Sequence, residues 1–226
     1  GVQAFIETLL RSPNRSILGL DQENWLKTKL LESKQRGTVW QILGQQVLMG
    51  KLVIPDVPPK ILENLTLSDQ VRYEVAQMMP LAPLKLPMNL DAWDGYPICR
   101  ERVQEMLTEC AINPVVLSGD SHNAWAFNLK NRLGNAVGVE IGTPSVTSPG
   151  LEQYLPLPPK TMERMLQASS PELYALDTSQ RGWTRISFNR EQMVAEWRFV
   201  SDVLSRTSEV NEAPALNCKV NTRSFS

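Results

Sequence analysis

Cysteine and histidine are scarce in this sequence: three cysteines (Cys99, Cys110 and Cys218) and one histidine (His122) serve 226 residues. Three widely spaced thiols exclude a disulfide framework and a cysteine-rich zinc site, both of which need closely set groups. They read as ordinary core or free thiols, with Cys110 on the apolar side of a helical stretch. A single histidine and the lack of a Gly-x-Ser-x-Gly elbow argue against a serine hydrolase. No Walker-type loop or dinucleotide glycine fingerprint occurs. No apolar run approaches the roughly 18 residues needed to cross a bilayer. Lys and Arg number 23 against 24 Asp and Glu, for a net charge of -1. With the basic residues scattered, nothing points to nucleic acid or an anionic membrane. Internal repeats and low-complexity tracts are missing too. The chain opens at Gly1-Val2-Gln3-Ala4-Phe5-Ile6 without an initiator Met or a leader, which reads as a piece of a longer protein and leaves export open.

What is present suits a globular α/β protein. Hydrophobic residues make up 42% of the chain, enough for a sizeable core. Asp21 is placed to cap a helix reaching about Lys34, with Glu23 in its first turn and Trp25, Leu26, Leu30 and Leu31 on its apolar side; Gly37 ends it. Thr38–Leu43 reads as a buried strand. From Val53 to Leu90 prolines break the pattern, leaving an irregular excursion with one helical piece near Leu67–Met78. Its large apolar residues (Leu62, Leu65, Met78, Met79, Leu84, Leu86) imply packing against something. Val103, Met106, Leu107 and Cys110 follow helical spacing between about Cys99 and Ala111. Val115–Ser118 suits a strand buried on both faces, and Ala136–Ile141 reads as another. Lys160–Ala168 is a predicted helix. Trp183–Phe188 and Met193–Val200 flank a polar turn and predict a hairpin. Residues 1–200 read as one domain, and 201–226 as a polar, loosely ordered tail.

The chemistry concentrates at the end of the apolar run Val115–Ser118. Gly119-Asp120-Ser121-His122 succeeds it abruptly, where loops in open α/β sheets gather ligands. Asp120 and His122 offer a carboxylate oxygen and an imidazole nitrogen, a pairing suited to hard or borderline cations such as calcium or iron. The plainer alternative makes Asp120 the cap of a helix after it and His122 a hydrogen-bonded wall residue. Two donors amount to half of a site. Trp93-Asp94-Gly95-Tyr96 is the second unusual stretch: an aromatic pocket wall, or a turn with Gly95 at positive φ and two anchoring aromatics.

Several segments, in order, resemble the PhoD-like alkaline phosphatases of the metallophosphoesterase superfamily. They are Arg15–Gly19 with Gln22 and Trp25-Leu26; Trp40–Val47; Asp91–Pro97 with Arg100; Val116–His122 with Ala124-Trp125; Gly142–Gly150; Arg181-Gly182-Trp183; and Glu196–Val200. Any one is weak, whereas their order is specific. The resemblance implies the carboxyl-terminal half of a sandwich of two mixed β-sheets flanked by helices, with metals at the strand ends. It also implies hydrolysis of phosphate monoesters, and often diesters, at alkaline pH with iron(III) and calcium. Most of the superfamily carries His-x-His in its last metal motif, whereas this family carries Asp-x-His, which corresponds to Asp120 and His122. By similarity His122 binds the iron and Asp120 the calcium, while Trp93, Asp94 and Tyr96 lie near the pocket. The family's remaining ligands, an early Asp, a bridging Asp and an Asn, come from an amino-terminal half with no counterpart before Arg15. This chain alone is therefore expected to be inactive, with small-molecule phosphate esters and that missing half as its partners. A periplasmic or secreted location is inherited from the resemblance. The competing expectation is a non-catalytic binding module or pseudoenzyme of the same fold, supported by the near-zero charge and the proline-rich excursion.

Overall fold

A computed structural model describes residues 1–63 and 66–226. Leu65 therefore lies outside the described residues. The short apolar runs form a five-stranded sheet: β1 (Gln41–Gly44), β2 (Pro114–Ser118), β3 (Ala124–Lys130), β4 (Ala136–Gly142) and β5 (Leu173–Asp177). Their order is β1-β2-β4-β3-β5. β1, β2 and β4 run parallel, while β3 is antiparallel to both β4 and β5. β2 is flanked on both sides, and its consecutive residues Val115 and Val116, both 0% exposed, enter different cores. That placement explains its unbroken apolar character.

The predicted hairpin forms as β6 (Arg181–Phe188) and β7 (Gln192–Val200). Along β7 the residues alternate, and Met193, Ala195, Trp197 and Phe199 all point inward. They meet Val115, Ala124, Ala126, Val139 and Ile141 on one face of the first sheet. This is the strand period of two expressed as a sheet-on-sheet core. Across the first sheet, Val116, Trp125, Phe127 and Leu129 lie beneath two helices. These are α5 (Pro97–Cys110), through Cys99, Val103 and Leu107, and α7 (Pro159–Ser169), through Met162 and Leu166. The layers thus run helices, sheet, sheet. All three cysteines are free and buried, as their spacing implied.

The tail departs from expectation. Residues 201–209 stay mostly exposed, but β8 (Val210–Glu212) and β9 (Leu216–Lys219) both pair with β7. Leu216, Cys218 and Phe225 fill the core between the sheets. Three apolar side chains among polar neighbours carry no visible period, yet they occupy the space β7 leaves open. The loosely ordered reading fails for this stretch.

The first long helix, α2 (Leu20–Gln35), also begins differently. Its cap is Gly19 at φ 80°, with Asp21 inside the first turn. The Ser16 hydroxyl accepts the Gly19 N–H at 2.8 Å and thereby ends the incoming loop. Glu23 is buried and receives Arg102 of α5 through Nε at 2.8 Å and Nη2 at 2.6 Å. Leu30 is the buried apolar residue of this helix, while Trp25 (57% exposed) and Leu31 (40%) are not in the core. The proline-rich excursion carries α3 (Pro59–Glu63) and α4 (Asp69–Met78), the latter capped by Ser68. It packs through Val53, Ile54, Val57 and Ala82. Of the residues expected to anchor it, Leu84 is 51% exposed. Among the described residues no helix is long and apolar enough to cross a membrane.

Candidate functional site

β2 stops at Ser118, and the chain must reverse within a few residues to enter β3. Asp120 (φ 62°) and His122 (φ 63°) both adopt the left-handed conformation to do so. Asp and His are among the side chains that tolerate that region, at roughly 1–3 kcal/mol each. The turn is tied from several sides. The Gly119 N–H donates to the Gln46 carbonyl at 3.0 Å, and the Ser145 N–H to the His122 carbonyl at 3.1 Å. The Trp125 indole N–H donates to the Ser121 hydroxyl at 2.7 Å. The turn leads into strand β3 and not into a helix, so the capping alternative for Asp120 has no structural counterpart.

Both side chains are exposed. Nδ1 of His122 lies 2.8 Å from the Pro149 carbonyl. A carbonyl only accepts, so in the neutral ring this contact places the proton on Nδ1 and the lone pair on Nε2. Asp120 lines a cavity of about 690 Å³ together with Trp93, Gln45, Gln46, Asp91 and the apolar Trp25 and Ile42. Among the described residues no three His, Cys, Asp or Glu side chains converge as a metal cluster. His122 is not among the residues lining the cavity that Asp120 shares. The two donor types nonetheless suit a hard cation and a borderline one: an exposed carboxylate and, in the neutral ring, an imidazole lone pair.

The second sequence candidate divides. Trp93 forms a wall of the cavity, its indole N–H donating to Gln45 Oε1 at 2.5 Å. Asp94 is buried beneath, its Oδ1 2.5 Å from Arg100 Nη1 and its Oδ2 accepting the Leu52 N–H at 2.8 Å. Burial pushes the Asp94 carboxyl up, and Arg100 opposes the shift. Tyr96 turns away, with the Arg15 guanidinium 4.7 Å from its ring centre. Asp94 and Tyr96 thus stand apart from the residues lining the cavity that Trp93 and Asp120 share. Gly95 is not at positive φ; a Cβ there would collide with the Leu90 carbonyl, so close approach is what calls for glycine.

Sequence reasoning missed Glu140. It is fully buried on β4, its two oxygens accepting the Met49 N–H at 2.8 Å and the Gly50 N–H at 2.6 Å. Burial pushes its pKa up from 4.5 to about 7. Met49 itself lines the cavity, so a carboxylate outside the cavity fixes part of its wall. A charged residue inside the otherwise apolar run Val137–Ile141 was the available signal, because glutamate is rarely buried without partners.

The comparisons with known proteins agree in direction. The family model described as PhoD-like phosphatase matches residues 2–197. Alkaline phosphatase D of Bacillus subtilis (strain 168) is 32% identical over 145 residues, covering 62% of this chain and 20% of that protein. A solved chain described as "Structure of PhoD" superposes with a TM-score of 0.70 at 23% identity, over 96% of this chain and 36% of that one. The last similarity establishes the fold. The chain spans about a fifth of the Bacillus protein and somewhat over a third of the solved one. With its layered sheets and the family model matched across most of its length, the chain belongs to the PhoD-like phosphatase family.

Proposed function

We propose that these residues form part of a metal-dependent phosphatase that hydrolyses phosphate monoesters, and diesters as well. The observation that carries the reading is the Asp120–His122 turn beyond parallel strand β2, with the His122 Nδ1 already engaged and Nε2 free. His122 would hold iron(III) and Asp120 calcium. Bound there, such ions supply positive charge to the phosphoryl oxygens and lower the pKa of a water molecule. An overall charge of -1 is compatible with an anionic substrate if that positive charge is local.

The chain's own residues orient and enclose. The tied turn holds Asp120 at the cavity mouth, and among the described residues nothing occupies its carboxylate. Trp93, locked by Gln45, gives the cavity a rigid apolar wall that limits water. Asp94 contributes from below by fixing the Leu52 backbone. Two donors do not complete a site, so the 226 residues alone are expected to show no turnover. A periplasmic or secreted location belongs to the same proposal and rests on the family resemblance.

The test is hydrolysis of p-nitrophenyl phosphate and bis-p-nitrophenyl phosphate by a full-length parent protein at alkaline pH with calcium present. Turnover that disappears in the Asp120→Ala, His122→Ala double variant supports the reading. Turnover that survives it overturns the assignment.

A further inference from the structure

The His122 imidazole is held by one peptide unit, and that unit is clamped at both ends. The Pro149 carbonyl accepts from His122 Nδ1 at 2.8 Å. The N–H of the same peptide, on Gly150, donates to Glu152 Oε1 at 3.1 Å. That oxygen also receives Arg181 Nη2, whose side chain is 8% exposed. On the other side lies Asn123, next to His122 in sequence and 0% exposed. Its Oδ1 accepts the Leu151 N–H at 3.1 Å. Its amide packs so closely on Gly150 that no Cβ fits between them. Gly150 has an ordinary extended backbone (φ -113°, ψ -152°), so glycine is required there for space and not for conformation.

We propose that Glu152 and Asn123 are positioning residues for His122: by fixing the Pro149–Gly150 peptide plane they keep the imidazole proton on Nδ1 and leave Nε2 free to ligate a cation. Free neutral imidazole in water prefers the opposite arrangement, with the proton on Nε2. An unclamped ring would therefore carry its proton on Nε2, the nitrogen left for ligation, for much of the time. Partners that orient a ligating histidine commonly change metal affinity about 10–100-fold. The importance of this clamp to catalysis rests on the proposed phosphatase function; its existence does not.

His122 is the only histidine, so a chain labelled with nitrogen-15 histidine gives one imidazole pattern that needs no assignment. Long-range proton–nitrogen NMR on the cation-free chain, well above the ordinary imidazole pKa of about 6.5, reads which nitrogen is protonated. The wild-type chain should show a protonated Nδ1 and an unprotonated Nε2. Glu152→Ala, at a partly exposed position, and Gly150→Ala should each move both nitrogens toward the averaged shifts of a free ring. Glu152→Gln keeps the acceptor oxygen and should restore the wild-type pattern. Circular dichroism melts identify any variant that fails to fold, and Glu152→Ala then decides. A wild-type ring protonated on Nε2, or an Nδ1-protonated pattern unchanged in a folded Glu152→Ala, overturns the proposal. Because neither substrate nor metal enters the measurement, loss of the phosphatase reading would leave this result standing, and the reverse holds too.

Discussion

The Gly50 N–H donates to Glu140 Oε2 at 2.6 Å, joining residues 90 positions apart in the chain. Phe127 occupies the space where a Gly50 side chain would sit, so backbone and carboxylate meet without intervening atoms. Burial lifts the Glu140 pKa from 4.5 to about 7 despite both hydrogen bonds. Between those values the folded chain retains a proton that the unfolded chain has lost. Stability therefore falls as pH rises from about 4.5 to about 7, by about 3 kcal/mol from this group. Asp94 and Glu172, also pushed up by burial, slope the same way. Glu140→Gln should flatten the dependence of urea midpoint on pH across that window; an unchanged slope would clear Glu140 of the role.

Glu23 behaves oppositely. Arg102 and its hydrogen bonds hold the carboxyl down at about 2, from an ordinary 4.5. Its stabilisation is present above about pH 4.5 and is lost as pH falls toward 2. Glu23→Gln should cost about 3 kcal/mol at neutral pH by leaving Arg102 short of its partner. The gap between variant and wild type should close near pH 2, as followed by chemical denaturation.

Asp120→Gly separates stability from ligation. Relief of a left-handed non-glycine residue is worth roughly 1–2 kcal/mol, against about 0.5–1 kcal/mol for the greater chain freedom of glycine. The variant should melt at or slightly above the wild-type temperature. If Asp120 holds calcium as proposed, the full-length parent carrying this change should nevertheless bind calcium at least about tenfold more weakly by calorimetry. A lowered melting temperature with intact calcium binding would contradict both halves.

Deleting residues 210–226 removes β8 and β9 from the second sheet and Leu216, Cys218 and Phe225 from the sheet-on-sheet core. Met193, Ala195 and Trp197 should then face water. A broad thermal transition and strong binding of a hydrophobic dye are expected, where the loose-tail reading would predict no change.

Legibility in the sequence depended on how locally each signal was written. The β2 run, the β6–β7 hairpin and helix α5 announced themselves because their periodicity lies within a few consecutive residues. The turn that carries Asp120 and His122 was readable because an abrupt polar stretch ends an apolar strand. Glu140, the Glu23–Arg102 pair and the burial of Cys218 were not, since each depends on a partner 79 to 91 positions away or on a gap left by another strand. Asp21 misled for a related reason: any capping residue fits the pattern, and the loop Ser16–Gly19 made the choice. Trp93 could be placed near a pocket by its neighbours, whereas the inward turn of Asp94 required knowing where Arg100 sits.

The last residues also fasten the two sheets together. The Phe225 N–H donates to Asn128 Oδ1 on β3 at 2.8 Å, and Arg223 reaches the Ala111 carbonyl at 2.9 Å. During synthesis the ribosome releases this segment after every strand it joins. Until translation has passed Phe225, the part of the core that Leu216, Cys218 and Phe225 fill stays open to water, an exposed apolar seam on a nascent chain whose β7 is already in place.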